Sequence, residues 1–430
     1  MRTRLRLPVF DSHPITPDAV ARKPSLLFVN QHYYPDFAST GQHLTDLAEH
    51  LAAAGFGVSV LCSRAKYLAG DLDVPKEEVH HGVRIHRVTG TSFGRGTNLG
   101  RIADYASFYG QAILRLLGTR RYDYVVTLTT PPLLSFLGGV LKKLRGQRYG
   151  IWSMDLHPDA EVAAGMLREE QPLAKLLHAL NDFGYRNADF VVDLGTYMKR
   201  RLLAKGVRPE RLYTIPVWSK KDEIEPLPHA ENPLLDQWGL RDKCIVMYSG
   251  NAGLAHRFDD VLEAMRRLKD HPELFFLFIG SGPRRKEIEA YSEAHGIENF
   301  RYLNYLPREE LRYSLSAASI HLLTLRNDMA GIAVPGKLYG IMAAGRPVAM
   351  VGPEASEPAQ TIQQEEIGFV VDPGRQSVDE AAGQLVEHLE AFCADAALRD
   401  AQGTRARASF LEHYEQEVAC AQWADLLENV

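Results

Sequence analysis

The stretch that decides the fold reads Val334-Pro335-Gly336-Lys337-Leu338-Tyr339-Gly340-Ile341-Met342-Ala343-Ala344-Gly345-Arg346-Pro347. It lies between two apolar runs of strand character, at residues 320–323 and 348–351. Pro335 near its start and Gly345 just past its apolar core are the residues that helix termini favour. The pattern therefore predicts a strand, a short helix and a second strand, which is the repeating unit of a parallel α/β sheet.

The start of this helix also predicts an anion-binding site. Unpaired backbone N–H groups and the helix dipole attract negative charge, and Gly336 allows close approach while Lys337 adds a full positive charge. Gly340 follows three residues later on the same helix face. Because glycine inside a helix costs about 1 kcal/mol relative to alanine, we expect another group to approach closely at Gly340. An ordinary strand-to-helix turn without a ligand is the alternative.

The composition excludes several classes of protein. A chain of 430 residues is expected to fold as two or three domains. Its 49 basic and 54 acidic residues give no net positive field, so no nucleic-acid partner is expected. The four cysteines have neither metal-binding nor redox spacing and are expected to be reduced, buried thiols of a cytoplasmic protein; they are Cys62, Cys244, Cys393 and Cys420.

Strand-like and helix-like patterns alternate along almost the whole chain. They begin after a leader without clear periodicity, and they are interrupted once by a polar, proline-containing linker around residues 220–242. The alternation predicts an α/β protein with two Rossmann-like, doubly wound parallel-sheet domains facing a cleft. The predicted units are a first domain at residues 24–219, a second domain at 220–405, and a C-terminal helix at 406–430 that returns to the first domain.

Candidate residues in the first half follow two predicted strands. Gly41 and its small neighbours lie at the start of the helix after the first strand, where they leave room for a bulky ligand. A G-x-G-x-x-G fingerprint is absent there, which argues against a dehydrogenase. Asp155 and His157 end a later strand, at the sheet edge where α/β proteins place their chemistry. Asp155 is suited to orient a hydroxyl or to stabilise positive charge, and His157 to bind acceptor hydroxyls; structural roles are the alternative.

Candidate residues in the second half also follow predicted strands. Gly250 lets the backbone approach a phosphate, and Arg257 near the next helix start is suited to pair with it. Gly282 ends the following strand in the same manner, and Tyr305 after the next strand is suited to be a wall for a flat base. Glu357 lies in the first turn of a helix, where it either caps that helix or accepts two hydrogen bonds from a ribose diol.

Two further motifs lie away from these candidates. Asp71-Leu72-Asp73 has the D-x-D form used by some metal-dependent transferases, but it lies in a polar loop and is not expected to bind a metal. A basic cluster follows the apolar run at residues 133–141, and it predicts either a patch for an anionic membrane or a solvated helix end. The cluster consists of Lys142, Lys143, Arg145 and Arg148.

Taken together, these segments resemble glycosyltransferase family 4, whose members are retaining enzymes of the GT-B fold. The likeness is greatest to its branch for capsule, colanic-acid and O-antigen sugars, and it extends from about residue 26 to the last helix. It is carried by Tyr34-Pro35 to Thr40-Gly41-Gln42, Thr129-Thr130-Pro131-Pro132, Asp155-Leu156-His157-Pro158-Asp159, Tyr248-Ser249-Gly250-Asn251, and Val334 to Pro347.

The resemblance implies a UDP-sugar donor, held in the second domain by the loop at Gly250 and Asn251 and by the helix start at Lys337. It implies a first domain that binds a glycan or a polyprenyl-diphosphate-linked acceptor. It further implies sugar transfer with retention by Asp155, His157 and Lys337, without metal or cofactor. Such a protein is expected in the cytoplasm, as a peripheral protein on the inner face of the membrane.

Two departures from the family pattern bear on the residue roles. The usual pair of glutamates, separated by seven residues, corresponds here to Ile332 and Gly340, so Glu357 is expected to hold the ribose instead. The usual Arg and Lys after the glycine loop correspond to Asn251 and His256, so Lys337, together with Arg257, is expected to supply the charge. A nucleotide-sugar 2-epimerase and a non-catalytic nucleotide-sugar-binding protein are the alternatives. An epimerase would turn over without an acceptor.

Overall fold

The computed structural model describes residues 22–36, 38–64, 73–91, 93, 98–118 and 121–430. Two parallel sheets, each flanked by helices, form two α/β domains, as the alternating pattern predicts. The first sheet has the strand order β3-β4-β2-β1-β5-β6-β7-β8. Its strands are β1 (Ser25–Val29), β2 (Gly57–Ser63), β3 (Glu77–His80), β4 (Val83–Val88), β5 (Tyr124–Thr127), β6 (Tyr149–Trp152), β7 (Phe190–Asp193) and β8 (Leu212–Thr214). The helices of this half are α1 (Ser39–Ala53), α2 (Asn98–Gly118), α3 (Leu134–Arg145), α4 (Asp159–Ala163), α5 (Pro172–Asn187) and α6 (Thr196–Ala204).

The second sheet has the order β11-β10-β9-β12-β13-β14, and its paired strands are parallel throughout. Its strands are β9 (Cys244–Asn251), β10 (Leu274–Ser281), β11 (Phe300–Leu303), β12 (Ile320–Thr324), β13 (Val348–Val351) and β14 (Gly368–Val371). The helices of this half are α7 (Pro233–Trp238), α8 (Asp259–Arg267), α9 (Arg285–Ala294), α10 (Leu311–Ser316), α11 (Lys337–Ala343), α12 (Glu357–Gln364), α13 (Val378–Ala394), α14 (Ala396–Ser409) and α15 (Gln416–Asn429).

Burial explains why the central strands are recognisable in the sequence. Every residue of β5, β6 and β7 is buried, as is every residue of β12 and β13. Strands of a parallel sheet are covered by helices on both faces and therefore appear as continuous apolar runs. The edge strand β3 differs, because it is antiparallel to β4 and carries two glutamates and a histidine. Polar residues of this kind protect a sheet edge from pairing with another chain.

The last helices connect the two domains, as the sequence predicts. Helix α14 packs on α11 of the second domain, and α15 packs on α1 of the first. Residues Phe410–Tyr414 between them form a turn of π-helix. Trp423 of α15 is fully buried, with its ring centroid 5.0 Å from that of Trp152 in β6. In the described part of the chain, no helix is both long and apolar enough to cross a membrane.

A disulfide joins Cys244 at the start of β9 to Cys393 near the end of α13, with 5.9 Å between their Cα atoms. The prediction that all four cysteines are free thiols was therefore wrong for this pair. The two residues are 149 positions apart, and only the packing of α13 brings them together. Cys62 and Cys420 are free and buried, as predicted. Because of this disulfide, the cysteines no longer argue that the protein resides in a reducing compartment.

Candidate active site

Lys337 is the first residue of α11, and its ammonium group lies beneath the loop that follows β9. Its Nζ is 2.7 Å from the Tyr248 hydroxyl and 4.0 Å from the centroid of that ring. Nζ is also 3.5 Å from Nε2 of His256. Among the described residues no carboxylate pairs with Lys337, so the hydrogen-bond partners of its amine are all neutral.

The protonation of the partners follows from their other hydrogen bonds. Nδ1 of His256 donates to the Thr324 carbonyl at 2.7 Å, which leaves the Nε2 lone pair to face Lys337. The Tyr248 hydroxyl donates to the Asn251 carbonyl at 2.9 Å and therefore accepts from Lys337. Burial, together with the Lys337 charge, lowers the pKa of His256 to about 3. The imidazole is thus neutral at physiological pH.

Burial lowers the pKa of Lys337 to about 7. A lysine that is removed from water without a counter-ion is destabilised in its charged form, and an anionic ligand relieves that cost. Because α11 has only seven residues, the positive charge of Lys337 contributes more to this site than the helix dipole does.

The glycine loops lie directly beside Lys337. Gly250 has a φ of +131°, and a Cβ atom there would lie 3.4 Å from Nζ of Lys337. Gly282, which has the same φ, ends β10 against the backbone of Ala252 and the side chain of Asn251. The structure therefore brings together four of the predicted donor-site positions, and these are Gly250, Asn251, Gly282 and Lys337.

Arg257 and Tyr305 lie where the sequence places them, but the charge of Arg257 is taken by another residue. The Arg257 guanidinium forms a bidentate pair with Asp260, with Nη2 2.9 Å from Oδ1, and this carboxylate is fully buried. Its charge therefore neutralises a buried group in the first turn of the helix that follows it, which does not support the prediction of a phosphate ligand. Tyr305 is 57% exposed after β11, and it lies close enough to Tyr248 to contribute to the raised pKa of that phenol.

The first-domain candidates lie after β6. Nδ1 of His157 is 2.8 and 3.0 Å from the two carboxylate oxygens of Glu161, one helical turn further on. Burial lowers the pKa of His157, but this hydrogen bond and the charges of Glu161, Asp155 and Asp159 outweigh it, so the pKa is raised. Because Nδ1 is engaged by Glu161, Nε2 is the nitrogen left for a substrate.

Backbone contacts between the loop after β6 and the loop before α11 join the two domains, and this contact is called the interdomain crossing. Asp155 forms an antiparallel bridge with Ala333, four residues before Lys337. The Leu156 N–H donates to the Ile332 carbonyl at 2.9 Å. The loop between β12 and α11 therefore lies against the first-domain edge that carries Asp155 and His157.

The predicted glycines at α1 and α11 differ in how closely protein atoms approach them. A Cβ at Gly41 would lie 3.2 Å from the His32 backbone, so this glycine lets α1 approach its own loop and makes no room for a ligand. Around Gly340 the nearest atoms would lie 3.7 Å from a Cβ, an ordinary contact distance. No protein atom makes a close approach at Gly340, and the expectation that a ligand does so stays a prediction. Gly336 likewise meets only an ordinary contact, with Val217 at 3.5 Å.

Glu357 reaches the other domain instead of capping its own helix. Its carboxylate lies against Gly195, at the start of α6 in the first domain. Burial raises the pKa of Glu357, and the backbone N–H groups of Thr196 and Tyr197 oppose that rise. The carboxylate therefore already has neighbours in the first domain. The expectation that Glu357 binds a ribose stays a prediction.

Of the two motifs away from the cleft, one lies partly outside the described residues and the other has mostly internal partners. Asp71 and Leu72 of the D-x-D motif lie outside the described residues. In the basic cluster, Lys142 pairs with Asp189 at 2.6 Å. Arg145 donates to two carbonyls at the end of α2, and Arg148 stacks on the ring of Tyr124. Three of the four cations therefore serve internal contacts.

Sequence reasoning missed two residues that shape the site. Tyr248 supports Lys337, but a tyrosine inside an apolar strand is indistinguishable from a core residue. Glu161 orients His157, and its spacing of four residues from that histidine is a signal that could have found it.

Comparisons with known proteins fit this two-domain arrangement. Residues 40–218 match the family model of the glycosyl transferase 4-like domain, and residues 234–409 match that of the glycosyl transferases group 1. The chain belongs to glycosyltransferase family 4. The first match ends just before the linker at residues 220–242, and the second begins within it. Each parallel-sheet domain of this glycosyltransferase therefore corresponds to one of the two family domains.

Two curated relatives are also described as glycosyltransferases. The chain is 29% identical over 254 residues to the probable glycosyltransferase WbjE of Pseudomonas aeruginosa, an alignment that covers 59% of this chain and 63% of that protein. The match thus spans less than two thirds of the length of WbjE. The chain is 26% identical over 335 residues to WcaI of Escherichia coli, a putative colanic acid biosynthesis glycosyl transferase, with 74% of this chain and 81% of that protein covered.

Solved structures show the same fold. The structure of HepE from Anabaena in complex with UDP-glucose superposes with a TM-score of 0.70 at 15% identity, covering 95% of this chain and all of that one. At this identity the likeness shows the fold alone. It confirms the GT-B architecture that the resemblance in sequence implies.

Proposed function

We propose that this glycosyltransferase moves a sugar from a UDP-sugar to a hydroxyl group of a glycan or polyprenyl-diphosphate-linked acceptor in polysaccharide biosynthesis, with retention of configuration. The observation that carries the proposal is the part-buried ammonium of Lys337, which has no counter-ion among the described residues and lies beside Gly250 at the interdomain crossing. The UDP-glucose complex of HepE and the colanic acid role given to WcaI support the donor and the pathway class.

In the proposed reaction, the bond between the anomeric carbon and the diphosphate oxygen breaks while the acceptor oxygen bonds to the same face of that carbon. The acceptor proton passes to the departing phosphate oxygen. Negative charge therefore grows on the diphosphate, where Lys337 neutralises it in place of a metal ion. Losing one such group typically costs about 10²- to 10³-fold in rate.

The first-domain residues take the acceptor side of the reaction. Glu161 holds Nδ1 of His157, so that Nε2 can accept from or donate to an acceptor hydroxyl. The backbone of Asp155 is held by its bridge to Ala333. In the proposed reaction, the Asp155 carboxylate stabilises the positive charge that develops on the sugar ring. Asp155, His157 and Lys337 are thus the proposed catalytic residues.

The test combines donor binding with turnover. UDP- and GDP-sugars are screened for the rise in melting temperature that they give to the purified protein, because a ligand specific to the folded state stabilises it. Release of UDP is then measured with and without acceptor. We expect Lys337→Ala to lower turnover by about 100-fold or more, whereas Arg257→Ala, which removes a cation committed to Asp260, lowers it far less.

Three results would each contradict the proposal in a different way. Unchanged turnover in Lys337→Ala would remove the assigned role of this lysine. Conversion of the donor without any acceptor would identify an epimerase. Tight UDP binding without transfer to any acceptor would identify a nucleotide-sugar-binding protein.

A lipid-linked acceptor would bring the first domain to the inner face of the cytoplasmic membrane. This part of the proposal rests on the acceptor and not on the basic cluster, because Lys142, Arg145 and Arg148 have internal partners. Co-sedimentation with anionic vesicles, compared between the parent protein and Lys143→Glu, distinguishes membrane binding through the acceptor from binding through the basic cluster. Loss of vesicle binding in Lys143→Glu would show that the basic cluster binds the membrane.

A further inference from the structure

Glu49, His80 and His81 come together in the first domain, on elements that carry none of the catalytic candidates. Glu49 lies on α1, and the two histidines lie at the turn that joins β3 to β4. Nδ1 of His81 is 3.1 Å from one Glu49 oxygen, and Nε2 of His80 is 3.6 Å from the other. One ligand atom from each residue lies within 4.8 Å of the others.

The surrounding structure holds the two imidazoles on one side of the turn. The ring of His80 stacks between those of Tyr34 and His81, with centroid distances of 4.0 and 4.2 Å. His81 and Gly82 both have positive φ values, +46° and +81°, as the tight hairpin turn requires. Asn or Gly is usual at the first position of such a turn, and here His81 occupies it although a histidine is less favourable at positive φ.

We propose that Glu49, His80 and His81 form a binding site for a divalent transition-metal ion, specifically Zn²⁺. Two imidazole nitrogens and one carboxylate oxygen are a donor set that zinc favours. Zinc–ligand bonds of about 2.0–2.2 Å place tetrahedral ligand atoms about 3.3 Å apart. An imidazole binds metal in the plane of its ring, so the exposed ring of His81 must rotate out of its stack on His80 when the ion binds. The side chain of His81 is 67% exposed, so a water molecule can take the fourth position.

The bound ion has a structural effect in this proposal. It joins the C-terminal part of α1 to the hairpin at the edge of the first sheet, two elements that pack on each other through few other contacts. The proposal is independent of the sugar-transfer reaction, because none of its three ligands belongs to the cleft.

The experiment uses the full chain without a histidine tag, stripped of metal with EDTA and dialysed. Zn²⁺ binding is measured by isothermal titration calorimetry, and Co²⁺ is added separately to read the visible spectrum of a tetrahedral site. We expect one Zn²⁺ per chain, a higher melting temperature with equimolar Zn²⁺, and about tenfold or more weaker binding in both His81→Ala and Glu49→Gln. His413→Ala is the matched control, because His413 is also exposed and lies 3.8 Å from a single glutamate, Glu412.

Melting temperatures of the metal-free variants show that each of them is folded. Binding to the parent protein that is no tighter than binding to His81→Ala would overturn the proposal. Equal loss of binding in His413→Ala would do the same, since it would assign the zinc to scattered surface histidines. In either case Glu49 would serve only as an ion-pair partner of the two histidines.

Discussion

The carboxylate of Glu357, in the second domain, lies directly against the Cα atom of Gly195, in the first domain. A Cβ atom at Gly195 would overlap this carboxylate. The N–H groups of Thr196 and Tyr197 lie close enough to lower the pKa of Glu357 in opposition to its burial. A side chain of one domain therefore reaches the first turn of a helix in the other, at a point where only glycine leaves room for it.

Gly195→Ala is expected to displace Glu357 and to lower the free energy of unfolding by about 1–3 kcal/mol, because a buried carboxylate loses its amide neighbours. In a Glu357→Ala background the same change should cost less than half as much. Urea unfolding of the four proteins measures this double-mutant cycle. Equal costs in both backgrounds would show that the two residues do not interact.

The pH dependence of UDP binding should report the titration of Lys337. In the free protein its lowered pKa, about 7, makes the amine largely neutral above that pH, and a bound diphosphate favours the charged form. We therefore expect binding to take up a proton above pH 7 and the affinity to fall as pH rises toward 9. Titration calorimetry in buffers of different ionisation enthalpy measures the uptake. Lys337→Met should bind UDP weakly and without this proton.

The stability of the ligand-free protein should change with pH for the same reason. Between pH 7 and the ordinary lysine pKa of 10.5, the unfolded state binds more protons than the folded state does, so this residue makes stability rise with pH. The rise attributable to Lys337 should vanish in Lys337→Met. That variant should also be more stable at pH 7 by about 0.5–2 kcal/mol, the usual gain when a strained functional group is replaced. A less stable Lys337→Met would show that the ammonium is well solvated or paired.

Arg257→Ala is expected to affect stability more than donor binding. The guanidinium is paired with the fully buried Asp260, and removing it leaves a carboxylate without its cation. The free energy of unfolding should fall by about 1–3 kcal/mol, while the KM for the donor changes less than about threefold. Adding Asp260→Asn to this variant should recover part of the stability. A large rise in KM with unchanged stability would restore the phosphate-ligand role.

Gly340→Ala should be tolerated and should stabilise α11. A Cβ atom at this position would meet Ile224, Leu315 and Ser219, each at 3.7 Å. Alanine favours a helix over glycine by about 1 kcal/mol. We therefore expect urea unfolding to show a gain of up to about 1 kcal/mol, with donor KM unchanged. A loss of donor affinity in Gly340→Ala would indicate that a ligand does approach this position.

The fold could be predicted from the sequence because buried parallel strands leave continuous apolar runs, such as those of β12 and β13. The antiparallel strand β3 was missed, because its polar residues Glu77 and Glu78 carry no apolar signal. The bond between Cys244 and Cys393 was missed for another reason. It depends on how α13 packs on the rest of its domain, and no spacing in the sequence encodes that.

The candidate site was predictable where a residue type is constrained by backbone geometry, and less so where partners decide its role. Gly250 and Gly282 have positive φ values in the loops where they were predicted. Arg257 has the expected position at a helix start, but a buried carboxylate three residues later takes its charge. The direction of Glu357 was not foreseeable, because Gly195 is distant in sequence and belongs to the other domain.

Trp152 in β6 meets Trp423 only after the chain has passed through the entire second domain and returned. During synthesis, α15 therefore emerges from the ribosome only after the second domain has been made. A first half expressed alone would expose the apolar surface that α15 normally covers. Folding of the first domain is thus completed only once α15 has been synthesised.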